Sequence, residues 1–204
     1  MLWSFSADQN NLLTNLWVNG NINYDETLDF IYPVYTSLSW NKSDRYINKK
    51  YNHKISTLDN CSFDINFRMQ MTHSMWQKIQ ENMKGEILRY GIDTENILQI
   101  QWASKNRQFM RVILPTEAIL DDSDKYVIVR YGKRRWIEFF IDTEPWETSS
   151  FEVWYQLPNP ECENYDMIFY NQPGVPKYNI SINIDGSIYD YTDRKEDFYF
   201  ENRE

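Results

Sequence analysis

Hydrophobic and polar residues alternate along this chain with two different periods. Residues 8–18 carry Leu12, Leu13, Leu16 and Trp17 at helical spacing, and Asn19 and Gly20 end the run, so a short N-terminal helix is expected. Leu28, Phe30, Tyr32 and Val34 then alternate as in a strand. Pro33 lacks an N–H, which predicts an edge or a bend there. Residues 41–54 are polar and basic and read as a loop or short helix. Phe63, Ile65, Phe67 and Met69 alternate with Asp64, Asn66, Arg68 and Gln70, the clearest half-buried strand. Residues 75–90 form the main amphipathic helix. Ser74 and Gln77 make a capping box, Met75, Trp76, Ile79, Met83, Ile87 and Tyr90 share one face, and Gly91 ends it.

Beyond residue 96 the pattern changes to short strands in series. Segments 97–103 and 108–114 flank a polar turn, and residues 115–120 read as one helical turn opened by Pro115. Segments 126–131 and 135–141 flank Gly132 and Lys133 as a second hairpin, and segments 151–156 and 167–170 follow. Segments 178–184 and 187–191 meet at Asp185 and Gly186, the strongest short hairpin signal in the chain. The expected class is α+β: an antiparallel meander in the C-terminal half, the helix at about 75–90 and the short N-terminal helix. Residues 1–204 are read as one domain, with a mixed segment 1–95 and a β-rich segment 96–204.

Composition sharpens this. The chain has 30 acidic and 21 basic residues, a net charge of −9, and 17% aromatic residues against 6 Gly. That much aromatic surface excludes disorder, and no run of about 18 apolar residues exists to span a membrane as a helix. The acidic balance argues against direct nucleic-acid binding, which needs a basic surface. Scarce Gly beside abundant Ile, Asn and Tyr fits an AT-rich bacterial, phage or viral gene. The N-terminal residues carry no basic, apolar secretory signal, and Cys61 and Cys162 form no CxxC pair. Two free thiols in a reducing, cytoplasmic compartment are therefore expected.

The charge is unevenly spread. Residues 136–176 contain eight carboxylates and no Lys or Arg, interleaved with Trp, Tyr and Phe. Two explanations stand open. One is an ordinary solvated sheet face. The other is an acidic, aromatic-rimmed surface that docks on a basic protein, such as a nuclease or other toxin. Glu144, Trp146, Glu147, Glu152, Trp154, Glu161, Glu163 and Tyr165 are the candidate partner-binding residues. The basic residues cluster at Lys42, Arg45, Lys49, Lys50 and Lys54, and at Arg130, Lys133, Arg134 and Arg135. These clusters either hold a small anion together or pair with the acids.

Catalytic marks are weak. His53 and His73 lack metal-ligand neighbours, and Asp121, Asp122 and Asp124 form an acidic turn without the later ligands of a calcium loop. Phosphate-loop, dinucleotide and serine-hydrolase motifs do not occur. No cofactor, metal or catalytic residue is expected. The leading expectation is an acidic inhibitory or immunity-like binding protein. The alternatives are a viral or phage assembly protein that pairs with copies of itself, and an enzyme using a carboxylate cluster or divalent ion.

Overall fold

A computed structural model describes residues 29–38, 43–74, 105–121, 124–131, 134–172 and 177–202. Twelve strands run through them. In chain order they are β1 (Asp29–Ser37), β2 (Ile47–Thr57), β3 (Phe63–His73), β4 (Asn106–Leu114), β5 (Ile119–Leu120) and β6 (Val127–Tyr131). β7 (Arg134–Thr143), β8 (Thr148–Leu157), β9 (Asp166–Phe169), β10 (Tyr178–Ile184), β11 (Ser187–Arg194) and β12 (Phe198–Glu201) follow. A single 3-10 turn, Ser43–Tyr46, is the helical element among the described residues. Over the described residues the α+β class is thus corrected to a β-sandwich. The helices expected at 8–18 and 75–90, and the strand at 97–103, lie outside the described residues.

The strands form two six-stranded sheets. The first has the order β12-β9-β1-β4-β7-β6 and the second β11-β10-β2-β3-β8-β5. Only the hairpins β2–β3, β6–β7 and β10–β11 stay within a sheet; every other connection crosses to the opposite one. The acidic stretch is therefore divided, with β7 in the first sheet and β8 in the second. Most pairings are antiparallel, but β1–β9 and β2–β10 are parallel.

The segment 41–54, expected as a loop or short helix, supplies the central strand β2. Its inward positions are Ile47, Lys49, Tyr51, His53 and Ile55, all buried. Lys and His at two of five core positions hide the alternation from a hydrophobicity reading. β3 shows the period plainly, with every odd residue from Phe63 to His73 buried. Residues 115–120 form a turn, closed by Ala118 N–H donating to the Pro115 carbonyl at 3.1 Å, and then β5 instead of a helical turn.

Pro33 is accommodated because β1 pairs with β9 only over Asp29 to Ile31. Beyond that point no strand among the described residues pairs with the β9 side of β1. Gln172 takes over, its Oε1 accepting from Tyr35 N–H at 2.6 Å and its Nε2 donating to the Tyr35 carbonyl at 3.3 Å. The Asp185–Gly186 hairpin forms as expected. Both residues have positive φ, 48° and 96°, the backbone that a two-residue hairpin turn requires and glycine adopts freely.

The inner faces of both sheets share one core that includes Ile31, Met110, Val112 and Ile137 from the first and Ile65, Phe67, Met69 and Val153 from the second. Phe139 stacks on Phe151 across the sandwich with ring centroids 3.5 Å apart. A fully buried side chain of this size contributes about 1.5–3 kcal/mol, so the core as a whole outweighs any single polar contact.

Cys61 and Cys162 are joined as a disulfide with Cα atoms 5.1 Å apart, which corrects the expectation of two free thiols. Each sits at positive φ in a tight turn, in the β2–β3 connection and in the β8–β9 crossover. Pairing of Phe63 with Leu157 brings these two turns together, although 101 positions separate them in sequence. No helix among the described residues is long and apolar enough to cross a membrane.

Candidate functional site

The outer face of the second sheet is polar and holds a groove with a cavity volume of ≈ 360 Å³. Strand register assembles it. Ser181, Asn52, Arg68 and Glu152 form one row across β10, β2, β3 and β8. Asn183, Lys54 and Asn66 form the next, and Trp154 continues that row on β8, beside the groove and not in its lining. Gln70 lies one row further along β3, and Ile188 of β11 closes one side. Side chains two residues apart on a strand share a face, so five strands deliver these groups to one surface.

Many of these groups have hydrogen-bonding capacity left over. Asn52 Nδ2 donates to Gln70 Oε1 at 3.3 Å, leaving the Asn52 carbonyl and the Gln70 amide nitrogen. Asn183 Oδ1 accepts from the Gly186 N–H at 3.0 Å, leaving its own NH₂. Asn66 Nδ2 is sequestered from solvent and has no partner among the described residues. A buried donor of this kind calls for a water or ligand acceptor. Arg68 Nε lies 3.2 Å from Glu152 Oε1, so these two charges offset one another.

The predicted partner-binding residues fall on three successive segments, and not all of them are exposed. Glu144, Trp146 and Glu147 occupy the β7–β8 connection, where Trp146 is 53% exposed at a positive φ of 68°. Glu152 and Trp154 stand on the outer face of the second sheet, and Trp154 is 45% exposed. Glu161 and Glu163 are exposed in the β8–β9 crossover. Tyr165 is buried. Three of the four strand carboxylates in the acidic stretch face bases in register, Glu138 opposite Arg111, Asp142 opposite Arg107 and Glu152 opposite Arg68, while Asp166 faces Glu201. Arg111 Nε lies 2.7 Å from Glu138, and Arg107 Nε 2.8 Å from Asp142, which also meets Lys105 at 2.8 Å. Hydrogen bonds from Arg107 and Lys105 hold the Asp142 carboxyl down at about 2. A base-free stretch of chain is therefore not a base-free surface.

Tyr165 belongs to a polar cluster sealed between the sheets. Asp29 Oδ2 accepts from Tyr165 OH at 2.5 Å and from Tyr155 OH at 2.9 Å, and lies 3.1 Å from His53 Nε2. His53 Nε2 is also 2.6 Å from Tyr165 OH. Burial and the neighbouring Asp29 carboxylate push both tyrosine hydroxyls well above their ordinary pKa. This His–Asp pair has no solvent access, since both residues are fully buried. Asp121 and Asp124 are exposed. Among the described residues no group of three His, Cys, Asp or Glu side chains is placed to hold a metal ion.

Of the basic clusters, Lys42 and Lys133 lie outside the described residues, and the strand members of the two clusters lie in different sheets. Lys50 and Lys54 point outward from β2, while Lys49 is buried with Nζ 3.2 Å from the centroid of the Tyr35 ring. Desolvation brings Lys49 down to about 7, against the opposing pull of Asp44. Arg135 lies in the other sheet and donates to the Ala118 carbonyl. The groove residues Asn52, Asn66, Gln70, Ser181 and Asn183 were not singled out from the sequence. Their signal was the outward period of β3, where Asn66, Arg68 and Gln70 succeed one another.

No family model matches this chain, and no curated protein matches it. Among solved structures it is similar to a crystal structure described as a "putative nutrient binding protein" from Legionella pneumophila subsp. pneumophila str. Philadelphia 1. The TM-score is 0.46 at 8% identity, covering 84% of this chain and 70% of that one. Nothing is carried over from it.

Proposed function

We propose that this chain is a non-covalent binding module that takes a small polar ligand into the groove on the outer face of the second sheet. The supporting observation is the unspent hydrogen-bonding capacity of Asn66 and its neighbours in a concave surface. Small-ligand sites combine a concave shape with a few convergent polar groups. The Cys61–Cys162 bridge supports a working place in an oxidising compartment instead of the cytoplasm, because reducing compartments keep thiols apart.

Titrating labelled protein with sugars, amino acids and nucleotides tests the site. Amide shifts are expected along β2, β3, β8 and β10, and Asn66→Trp, which fills the groove, abolishes them. Shifts confined to the first sheet, or none at millimolar ligand, overturn the proposal.

A second reading keeps part of the acidic docking surface, favoured by exposed Trp146 between Glu144 and Glu147. Aromatic anchors ringed by complementary charge are the usual pattern of such contacts. Under it, changing Glu144, Glu147, Glu161 and Glu163 to Lys slows association with a basic nuclease, most at low salt. Unchanged rates across a salt series end that reading.

A further inference from the structure

We infer that the ligand of this groove is a neutral saccharide, with Trp154 as the platform for a sugar ring. The inference rests on the binding reading above and adds the chemical class.

Three features carry it. The first is the kind of group present. Asn52, Asn66, Gln70, Ser181 and Asn183 are uncharged and offer both donors and acceptors. A sugar hydroxyl donates and accepts at once, so a pair of adjacent hydroxyls matches one side-chain amide at both ends. An anion would use only the donors and leave the acceptors desolvated.

The second is charge. Arg68 is offset by Glu152 on the next strand, so a phosphate or carboxylate would meet a single unpaired cation instead of a converging set. Tight anion sites use unpaired Arg forks or several converging cations. Lys54 is the one groove cation without an ion-pair partner among the described residues. A zwitterionic amino acid would need two opposite charges held apart, and the Arg68–Glu152 pair has closed on itself.

The third is the aromatic neighbour. Trp154 stands directly across from Asn66 in the β3–β8 register, on the same outer face, and is 45% exposed. Its partly exposed indole leaves apolar surface open to a ligand beside the amides. It presents a broad apolar face beside a polar N–H, which suits the C–H face of a pyranose whose hydroxyls reach the amides. The volume of ≈ 360 Å³ sits at the low end of ligand pockets, about 300–1,000 Å³, which sizes the ligand at one or two rings.

The test uses an immobilised panel of neutral and acidic mono- and oligosaccharides, followed by amide-shift mapping and calorimetry on the strongest member. A neutral member is expected to bind and to shift amides of β2, β3, β8 and β10. Trp154→Ala is expected to weaken binding at least tenfold and Asn66→Ala at least fivefold, while Lys54→Ala changes it less than threefold. Circular dichroism shows whether each variant is folded, and Trp154→Phe, which keeps an aromatic face, restores most of the affinity. If the groove amides respond to nucleotides, amino acids or only acidic sugars, the class is wrong while the site stands. If a saccharide binds but shifts only the first sheet, both fail. If no neutral saccharide on the panel binds at millimolar concentration, the inference is overturned.

Discussion

Two polar regions lie back to back on the same strands. His53 and Tyr155 point inward from β2 and β8, while their neighbours Asn52, Lys54 and Trp154 point outward. Inside, three side chains converge on one carboxylate, that of Asp29. Outside, the amides pair only partly and retain donors and acceptors. Low dielectric explains the difference. A buried polar group left unmatched costs about 1–3 kcal/mol, so three side chains gather on the Asp29 carboxylate and only His53 Nδ1 of the cluster stays without a partner among the described residues, whereas outward groups can exchange water for ligand. Polarity gathered on one buried carboxylate serves the fold, and polarity left over on a concave face is what supports the proposed recognition.

The largest expected effect breaks the inner region. Asp29→Ala strands His53, Tyr155 and Tyr165 without their acceptor, and removing one partner of a buried charged cluster costs about 3–5 kcal/mol. Urea denaturation measures it, and a loss under about 1 kcal/mol would show that the cluster closes around water equally well. Next comes the clasp that holds the neighbouring loop. Replacing Cys61 and Cys162 together by Ser frees a loop of 101 positions and is expected to cost about 2–5 kcal/mol. Cys162 precedes Tyr165 by three residues, so hydrogen exchange should quicken first at Tyr165 and β9 in this variant. Uniform quickening across both sheets would deny that local role.

The strands were largely legible where one face is apolar throughout, as in β3 and β10. They were illegible where polar residues occupy core positions. Lys49 and His53 turned the central strand β2 into an apparent loop, and only the tertiary partners Tyr35 and Asp29 explain how it buries them. The acidic stretch misled for a different reason. Sequence shows charge along one strand, but a sheet surface is read across strands, and Arg68, Arg107 and Arg111 come from elsewhere. Tyr165 resembled a surface aromatic because the carboxylate that binds its hydroxyl lies 136 positions away. The groove depended on five strands in register, which no local pattern encodes.

Lys49 offers an intermediate case, a charge held inside with an aromatic ring and a distant acid for company. Its folded pKa, about 7, lies below the ordinary 10.5. Between those values the unfolded chain binds a proton that the folded one does not, so stability rises with pH across the window. Below pH 7 both states are charged and the burial penalty is fully present. Lys49→Met removes the penalty, so it should stabilise the fold by about 1–3 kcal/mol at pH 6 and lose that advantage towards pH 10. A stability difference between variant and parent that stays constant from pH 6 to 10 would mean that Lys49 keeps its charge through solvent contact.

The smallest expected effect is the most discriminating. If the outer amides serve recognition and not the fold, Asn52→Ala, Asn66→Ala and Gln70→Ala should each change stability by no more than about 0.5 kcal/mol. The Arg68–Glu152 pair is partly exposed, and a double-mutant cycle on it should give about 0.2–1 kcal/mol. The inner cluster that His53 and Tyr155 reach from β2 and β8 would then lose several kcal/mol with its acceptor, while the outward groups of the second sheet lose almost nothing. If Asn66→Ala instead unfolds the protein as Asp29→Ala does, its amide is a structural strut. The two regions would then differ in exposure alone, and the leftover hydrogen-bonding capacity would no longer point to a ligand.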